Sequence, residues 1–241
     1  MIAFAWIVGI VLVLLALALG GLALFSAWTA RQVEKRLPPH GRFIEVDGAR
    51  IHYLDEGSGP KLLLIHGLAG QTRVFTHSLL DRLKRDYRVV ILDRPGSGYS
   101  TRPSRASAAI GAQAHTIARF IEALGLERPL VVGHSLGGAI ALASRDLMAT
   151  MEDLAHMQER YQRLTIPIGV LFGTGDRLLD PAKHGAAMAT EVAGLDLELI
   201  EGGGHMILIS SADRAAAFIA RMARRVAAAG ATLAPIGAGK S

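Results

Sequence analysis

The chain has 241 residues, 51% of them hydrophobic, with 26 Lys and Arg against 21 Asp and Glu and a net charge of +5. That length suits one globular domain beside a membrane segment, and the scarcity of aromatics (5%), with no interleaving of basic and aromatic side chains, argues against a nucleic-acid surface. The absence of cysteine excludes disulfides and thiolate-metal sites, while leaving the redox compartment open.

From Ile2 to Phe25 the sequence IAFAWIVGIVLVLLALALGGLALF carries no charged or polar side chain. These residues span roughly 36 Å as a helix, against a bilayer core of about 30 Å. No Lys or Arg precedes the run, and it exceeds the apolar core of a cleaved signal peptide, so residues 1–30 read as an uncleaved transmembrane anchor. Trp6 and Trp28 stand near its ends, where interfacial anchors sit. A buried core helix is the poorer reading, since a globular helix is seldom apolar on every face.

Every charged residue lies after residue 30. Arg31, Lys35 and Arg36 follow the apolar run directly; by the positive-inside rule they would keep the C-terminal side in the cytoplasm, and they favour an anionic lipid surface. Residues 31–41, RQVEKRLPPHG, read as a juxtamembrane linker in which Pro38-Pro39 stops a helix.

Next, RFIEVDGARIHYLDEG predicts a hairpin turning at Asp47-Gly48. Short apolar strands follow at 61–65, 87–92, 130–133, 167–172 and 195–200, separated by helices near 73–84, 107–124, 137–162, 182–193 and 212–228. Continuous apolar strands alternating with helices imply an α/β fold, a mostly parallel sheet with flanking helices on both faces. The tail at 229–241 has the composition of a disordered end.

In such sheets reactive groups gather at the carboxyl ends of the strands. The motif GHSLG, Gly133 to Gly137, stands where a strand gives way to a helix. Gly133 and Gly137 permit a tight turn that pushes Ser135 outward, with a helix N-terminus behind it for a developing oxyanion. A serine hydroxyl needs a base, and a histidine base needs a carboxylate to fix its tautomer. Asp176 in VLFGTGD and His205 in EGGGH each follow a strand, in the order Ser, Asp, His. His66 and Gly67 end the first parallel strand, which places the backbone N–H of Leu68 to join that of Leu136 in an oxyanion hole.

Asp180 is the nearest rival to Asp176, and Asp153, in a helical pattern, a poorer one. His134 reads as packing, His66 as a shaper of the oxyanion loop, and Asp93 as a turn-stabilising carboxylate. Arg214, Arg221, Arg224 and Arg225 on the last helix read as a solvated face, with contact to anionic lipid as the alternative.

These residues resemble the α/β-hydrolase superfamily over about residues 42–228, through HGLAG (66–70), DRPGSGYS (93–100), GHSLGG (133–138), GTGD (173–176) and GGGH (202–205). The resemblance implies a cofactor-free, metal-free hydrolase acting on small ester-like or lipid-like substrates through an acyl-enzyme intermediate, with Ser135 as nucleophile, His205 as base and Asp176 as orienting acid. A cofactor-free haloperoxidase-like activity would use the same triad. Dehalogenases and epoxide hydrolases are disfavoured, because those relatives place an aspartate where this chain has Ser135.

The chain departs from the family after the elbow. Only 28 residues separate Gly138 from Pro167, and apolar positions 147, 148, 151, 154, 157, 161 and 164 follow a helical stripe. The expectation is that the sixth strand and the cap are missing around 145–165. Two geometries follow. Either the strands bearing Ser135 and Asp176 become neighbours, displacing the acid and base by up to about 4.8 Å, or a gap remains with two unpaired strand edges. A catalytically impaired descendant with a scaffold role is the rival function.

Overall fold

A computed structural model describes residues 2–145 and 166–228, in two units that divide between His40 and Gly41. The first contains one helix, α1 (Ile2–Arg36). It continues through Arg31–Arg36, six residues that read as linker in the sequence. Gln, Glu, Lys and Arg are good helix formers, and the helix stops only where Leu37 meets Pro38, whose ring disfavours helical geometry in the residue before it.

The second unit opens with a hairpin, β1 (Arg42–Val46) and β2 (Ala49–Glu56), antiparallel with Val46 opposite Ala49. Asp47 (φ +50°) and Gly48 (φ +74°) take the two left-handed positions of a primed two-residue turn. β3 (Lys61–Ile65), β4 (Arg88–Leu92) and β5 (Leu130–Gly133) complete a five-stranded sheet in the order β1-β2-β4-β3-β5, parallel across β4-β3-β5.

Alternation along β3 and β4 sends side chains to two cores. Leu63, Ile65, Val90 and Leu92 pack with Ile117, Phe120 and Ile121 of α4 (Ile110–Ala123) and Ile140 of α5 (Leu136–Arg145). Leu62, Leu64, Val89 and Ile91 face Phe75 of α2 (Arg73–Thr76), Leu80 and Leu83 of α3 (Leu80–Leu83), and the C-terminal helices. Each such Leu or Ile stabilises the fold by about 1.5–3 kcal/mol through burial. The single helix expected at 73–84 is two short ones, because the Ser78 hydroxyl bonds back to the Val74 carbonyl and the chain tightens around it.

β6 (Gly169–Gly173) and β7 (Asp196–Ile200) pair in parallel as a separate two-stranded sheet. Among the described residues β5 and β6 do not pair, so the first of the two expected geometries, in which they become direct neighbours, is not the one observed. β3 and β4 are almost wholly buried, whereas all four residues of β5 and the first four of β6 are only half-buried. Between β6 and β7 the helix expected at 182–193 starts as a π-helical turn (Pro181–Ala186) and becomes α6 (Ala187–Glu191). α7 (Ile207–Ser210) and α8 (Ala212–Ala228) close the unit, Leu208, Ala212, Ala215 and Ile219 entering the second core. The helix expected at 137–162 is α5 as far as Arg145. Its remainder, the missing strand and cap expected around 145–165, and the tail at 229–241 lie outside the described residues.

Candidate active site

β5 ends at Gly133 and α5 begins at Leu136, leaving His134 and Ser135 to make the turn. Ser135 holds φ at +53°, a left-handed conformation costing a non-glycine residue roughly 1–2 kcal/mol. The strain persists because the turn is bonded on every side: His134 N–H to the Ile65 carbonyl, Gly137 N–H to that of His134, and Gly138 N–H to that of Ser135. Backbones crowd here. A Cβ on Gly133 would stand 2.2 Å from the Gly137 carbonyl oxygen, and one on Gly137 would stand 2.2 Å from that of Ile65.

The loop after β3 lies against this elbow, a Cβ on Gly67 falling 3.0 Å from Ser135 Cβ. His66 is fully buried. Its Nδ1–H donates to the Gly67 carbonyl at 2.8 Å and its Nε2 accepts the Arg94 backbone N–H at 3.0 Å. Burial pushes its pKa down to about 4, helped by the nearby Arg94 charge and opposed by the Gly67 bond. The ring is therefore neutral at pH 7 and shapes the loop. Among the described residues, the backbone N–H groups of Leu68 and Leu136 donate to no protein acceptor.

Asp176 and His205 stand on the loops after β6 and β7, and those loops are bonded as one piece. Gly175 N–H reaches the Gly203 carbonyl, Thr174 N–H that of Ile200, and Gly202 N–H the Thr174 hydroxyl. Gly173 is obligatory, since a Cβ there would lie 2.1 Å from the Gly203 carbonyl oxygen. His205 Nδ1 lies 2.8 Å from Asp176 Oδ2, while Asp176 Oδ1 accepts the N–H groups of Leu178 and Leu179. Burial alone would raise the Asp176 carboxyl, yet these three hydrogen bonds hold it below the usual carboxylate value. The ionised acid fixes Nδ1–H, which turns Nε2 of His205 into the ring's free lone pair.

Ser135, Asp176 and His205 line one cavity of about 640 Å³. Among the described residues no hydrogen bond joins Ser135 to His205. The elbow and the loop carrying His205 are tied instead through His134, whose Nε2–H donates to the His205 carbonyl at 3.0 Å, with ring centroids 5.2 Å apart. Packing was the role expected of His134; it also bridges the two sheets.

Arg94 is a second contributor that the sequence does not single out. Buried to 3% exposure, it bonds the Gln113 side chain and the Gly67 carbonyl, pinning the loop that presents Leu68 N–H. The available signal was a charged pair, Asp93-Arg94, ending an apolar strand. Asp93 accepts bonds from His52 Nδ1 and from the Thr72 and Tyr99 N–H groups, a turn-stabilising arrangement. Asp180 caps the π-helical turn through Ala182 N–H, and Asp153 lies outside the described residues. Arg214, Arg221 and Arg225 pair with Glu198 and Asp196 of β7, so this helix face is engaged with the sheet beside it.

Residues 60–144 match the family described as alpha/beta hydrolase fold. The chain is 41% identical over 101 residues to a dihydrolipoyllysine-residue acetyltransferase component of the acetoin cleaving system of Cupriavidus necator, covering 42% of this chain and 26% of that protein. It is 37% identical over 106 residues to haloalkane dehalogenase 2 of Mycobacterium tuberculosis, covering 44% of this chain and 37% of the relative. The chain thus matches well under half the length of these relatives. The solved structure of a predicted CIB-like hydrolase from Thermoplasma acidophilum superposes with a TM-score of 0.68 at 19% identity, over 77% of this chain and 98% of the other. Residues 60–144 thus match the alpha/beta hydrolase family model, and the chain shares the α/β-hydrolase fold with the solved structures.

Proposed function

We propose that the protein is a membrane-anchored serine hydrolase acting on ester-like bonds, with Ser135 as nucleophile, His205 as general base and Asp176 as its orienting acid. The observation carrying this reading is the 2.8 Å contact of His205 Nδ1 with Asp176 Oδ2, on the cavity that Ser135 also lines. As Ser135 Oγ attacks the ester carbonyl carbon, its proton passes to His205 Nε2. The carbonyl oxygen becomes an oxyanion, held by the N–H groups of Leu68 and Leu136. The imidazolium, stabilised by Asp176, then protonates the departing alcohol, and a water activated by the same nitrogen hydrolyses the acyl-enzyme. The unmade Ser135–His205 bond fits this scheme, since catalytic hydrogen bonds are often long without substrate and tighten when it binds. α1 serves as the anchor: its stretch Trp6–Arg36 is long and apolar enough to cross a bilayer.

A second reading has an observation of its own. With β5 and β6 unpaired among the described residues, an inactive descendant would keep the Asp176–His205 contact and lose alignment with Ser135. Hydrolysis of p-nitrophenyl acetate by the full chain separates the two. The enzyme reading expects turnover that Ser135→Ala and His205→Gln each abolish in folded protein; the absence of turnover in folded wild type supports the descendant.

A further inference from the structure

Arg94, just after β4, is buried without a counter-charge. Among the described residues its guanidinium bonds no carboxylate and its Nε has no hydrogen-bond partner. The neighbouring Asp93 carboxylate turns to His52, Thr72 and Tyr99 instead. Burial draws the Arg94 pKa below the usual guanidinium value. A buried cation left unpaired is costly, so where its donors go matters.

One of them goes to the Gly67 carbonyl, and it is not alone there. Three donors converge on that single oxygen: Arg94 Nη2–H at 3.0 Å, His66 Nδ1–H at 2.8 Å and the Gly70 N–H at 3.2 Å. A carbonyl oxygen has two lone pairs, so this acceptor is over-supplied. The same peptide unit carries the Leu68 N–H, which donates to no acceptor among the described residues. A trans peptide is planar with its C=O and N–H pointing opposite ways, so gripping the oxygen fixes the direction of the N–H. Ala69 follows at φ +54°, a left-handed conformation uncommon outside glycine, which a loosely held loop would relax. The peptide also adjoins the elbow, since a Cβ on Gly67 would stand 3.0 Å from Ser135 Cβ.

We propose that Arg94 is a positioning residue for the oxyanion: acting through the Gly67–Leu68 peptide, its guanidinium aims the Leu68 N–H and strengthens that donor as negative charge develops on the ester oxygen. This role rests on the hydrolase reading above and adds a residue whose effect belongs to the transition state. A cation on the carbonyl oxygen polarises the whole peptide and makes its N–H a better donor. Away from water, an unneutralised positive charge also favours an oxyanion over a neutral carbonyl. Gln113 holds the other arm of the fork: its Oε1 accepts Arg94 Nη1–H, while its own Nε2–H donates to the Ala108 carbonyl.

The test compares p-nitrophenyl acetate turnover with inhibition by an alkyl trifluoromethyl ketone, using the full chain. Ser135 Oγ adds to the ketone carbon, its proton passes to His205 Nε2, and the carbonyl oxygen becomes the oxyanion of a hemiketal. The ketone Ki therefore reads oxyanion stabilisation without a leaving group. Arg94→Met should lower kcat about ten- to hundredfold, with KM held within about threefold and Ki raised by about the same factor as kcat falls. Arg94→Lys keeps the charge but not the planar fork that serves Gln113 and Gly67 together, so it should lose only about three- to tenfold.

Circular dichroism and urea denaturation establish that each variant is folded. A folded Arg94→Met whose kcat is unchanged, or whose kcat falls while the ketone Ki does not follow, overturns the role. Should Arg94→Met not fold, Arg94→Lys decides in the same way: kcat and Ki moving together with KM held supports the role, and an unchanged kcat overturns it. Failure of both variants to fold also overturns it, marking the guanidinium as structural. Folded wild type that neither turns over the ester nor binds the ketone overturns the hydrolase reading itself.

Discussion

His134 Nε2 lies 3.0 Å from the carbonyl oxygen of His205, so the turn carrying Ser135 and the loop carrying His205 are bonded to each other although the strands that precede them do not pair among the described residues. In the proposed mechanism this bond makes His134 a positioning residue for His205. Burial depresses its pKa, with the neighbouring His205 adding to the effect and the Asp176 carboxylate and the bond to the His205 carbonyl opposing it. His134→Phe keeps a ring and loses the donor. We expect a loss of about 1 kcal/mol in stability and a roughly ten- to hundredfold fall in kcat, with partial rescue by His134→Gln, whose amide can donate. Ester turnover and urea denaturation measure the two effects.

The glycines of the elbow separate sharply. A Cβ on Gly137 meets the Ile65 carbonyl oxygen at 2.2 Å, whereas the nearest atom to one on Gly138 is the Gly133 carbonyl oxygen at 3.6 Å. Gly137→Ala should therefore cost more than about 2 kcal/mol or abolish folding, while Gly138→Ala, inside α5, should be neutral or stabilise by up to about 1 kcal/mol. Thermal unfolding of the two variants checks this, and equal effects would contradict the close approach of β3 to the elbow.

Stability should fall on mild acidification. His66 titrates at about 4 in the folded chain and near its ordinary value of 6.5 when unfolded. The unfolded state thus binds the proton first, and the stability in question is whole above pH 6.5 and lost as pH falls toward 4. The loss is on the order of 3 kcal/mol. His134, also depressed, acts in the same direction. The Asp176 contribution lies lower, where its carboxylate protonates below the usual 3.8. Denaturation midpoints measured between pH 4 and 8 test this, and His66→Asn should flatten the profile.

Asp93 is buried with three donors aimed at it, from His52, Thr72 and Tyr99. Asp93→Asn turns part of that acceptor into a donor facing N–H groups. A loss of about 2–4 kcal/mol is expected, read by denaturant midpoint.

Much of the fold is legible in local chemistry. Asp47-Gly48 announces its turn through two left-handed positions, and LLLI and VVIL mark strands buried on both faces. Gly133 and Gly137 of GHSLG and Gly173 of GTGD reflect backbone crowding that any larger residue would break, and the meeting of Asp176 with His205 can be read from strand ends. What resists reading is long-range. Whether β5 and β6 would close or stay apart depends on what each edge finds across the sheet, which no local pattern encodes. His134 and Arg94 are silent for a related reason: their partners, the carbonyls of His205 and Gly67, are backbone atoms common to every residue.

The account stands on Ser135 as a nucleophile activated by His205. Fluorophosphonate labelling of the full chain, followed by peptide mapping, tests this most directly. The prediction is one phosphonylated residue, Ser135, with labelling lost in Ser135→Ala and slowed by about 10⁴-fold or more in His205→Gln while both remain folded. Folded wild-type protein that resists the reagent, or labelling that survives Ser135→Ala, would contradict it.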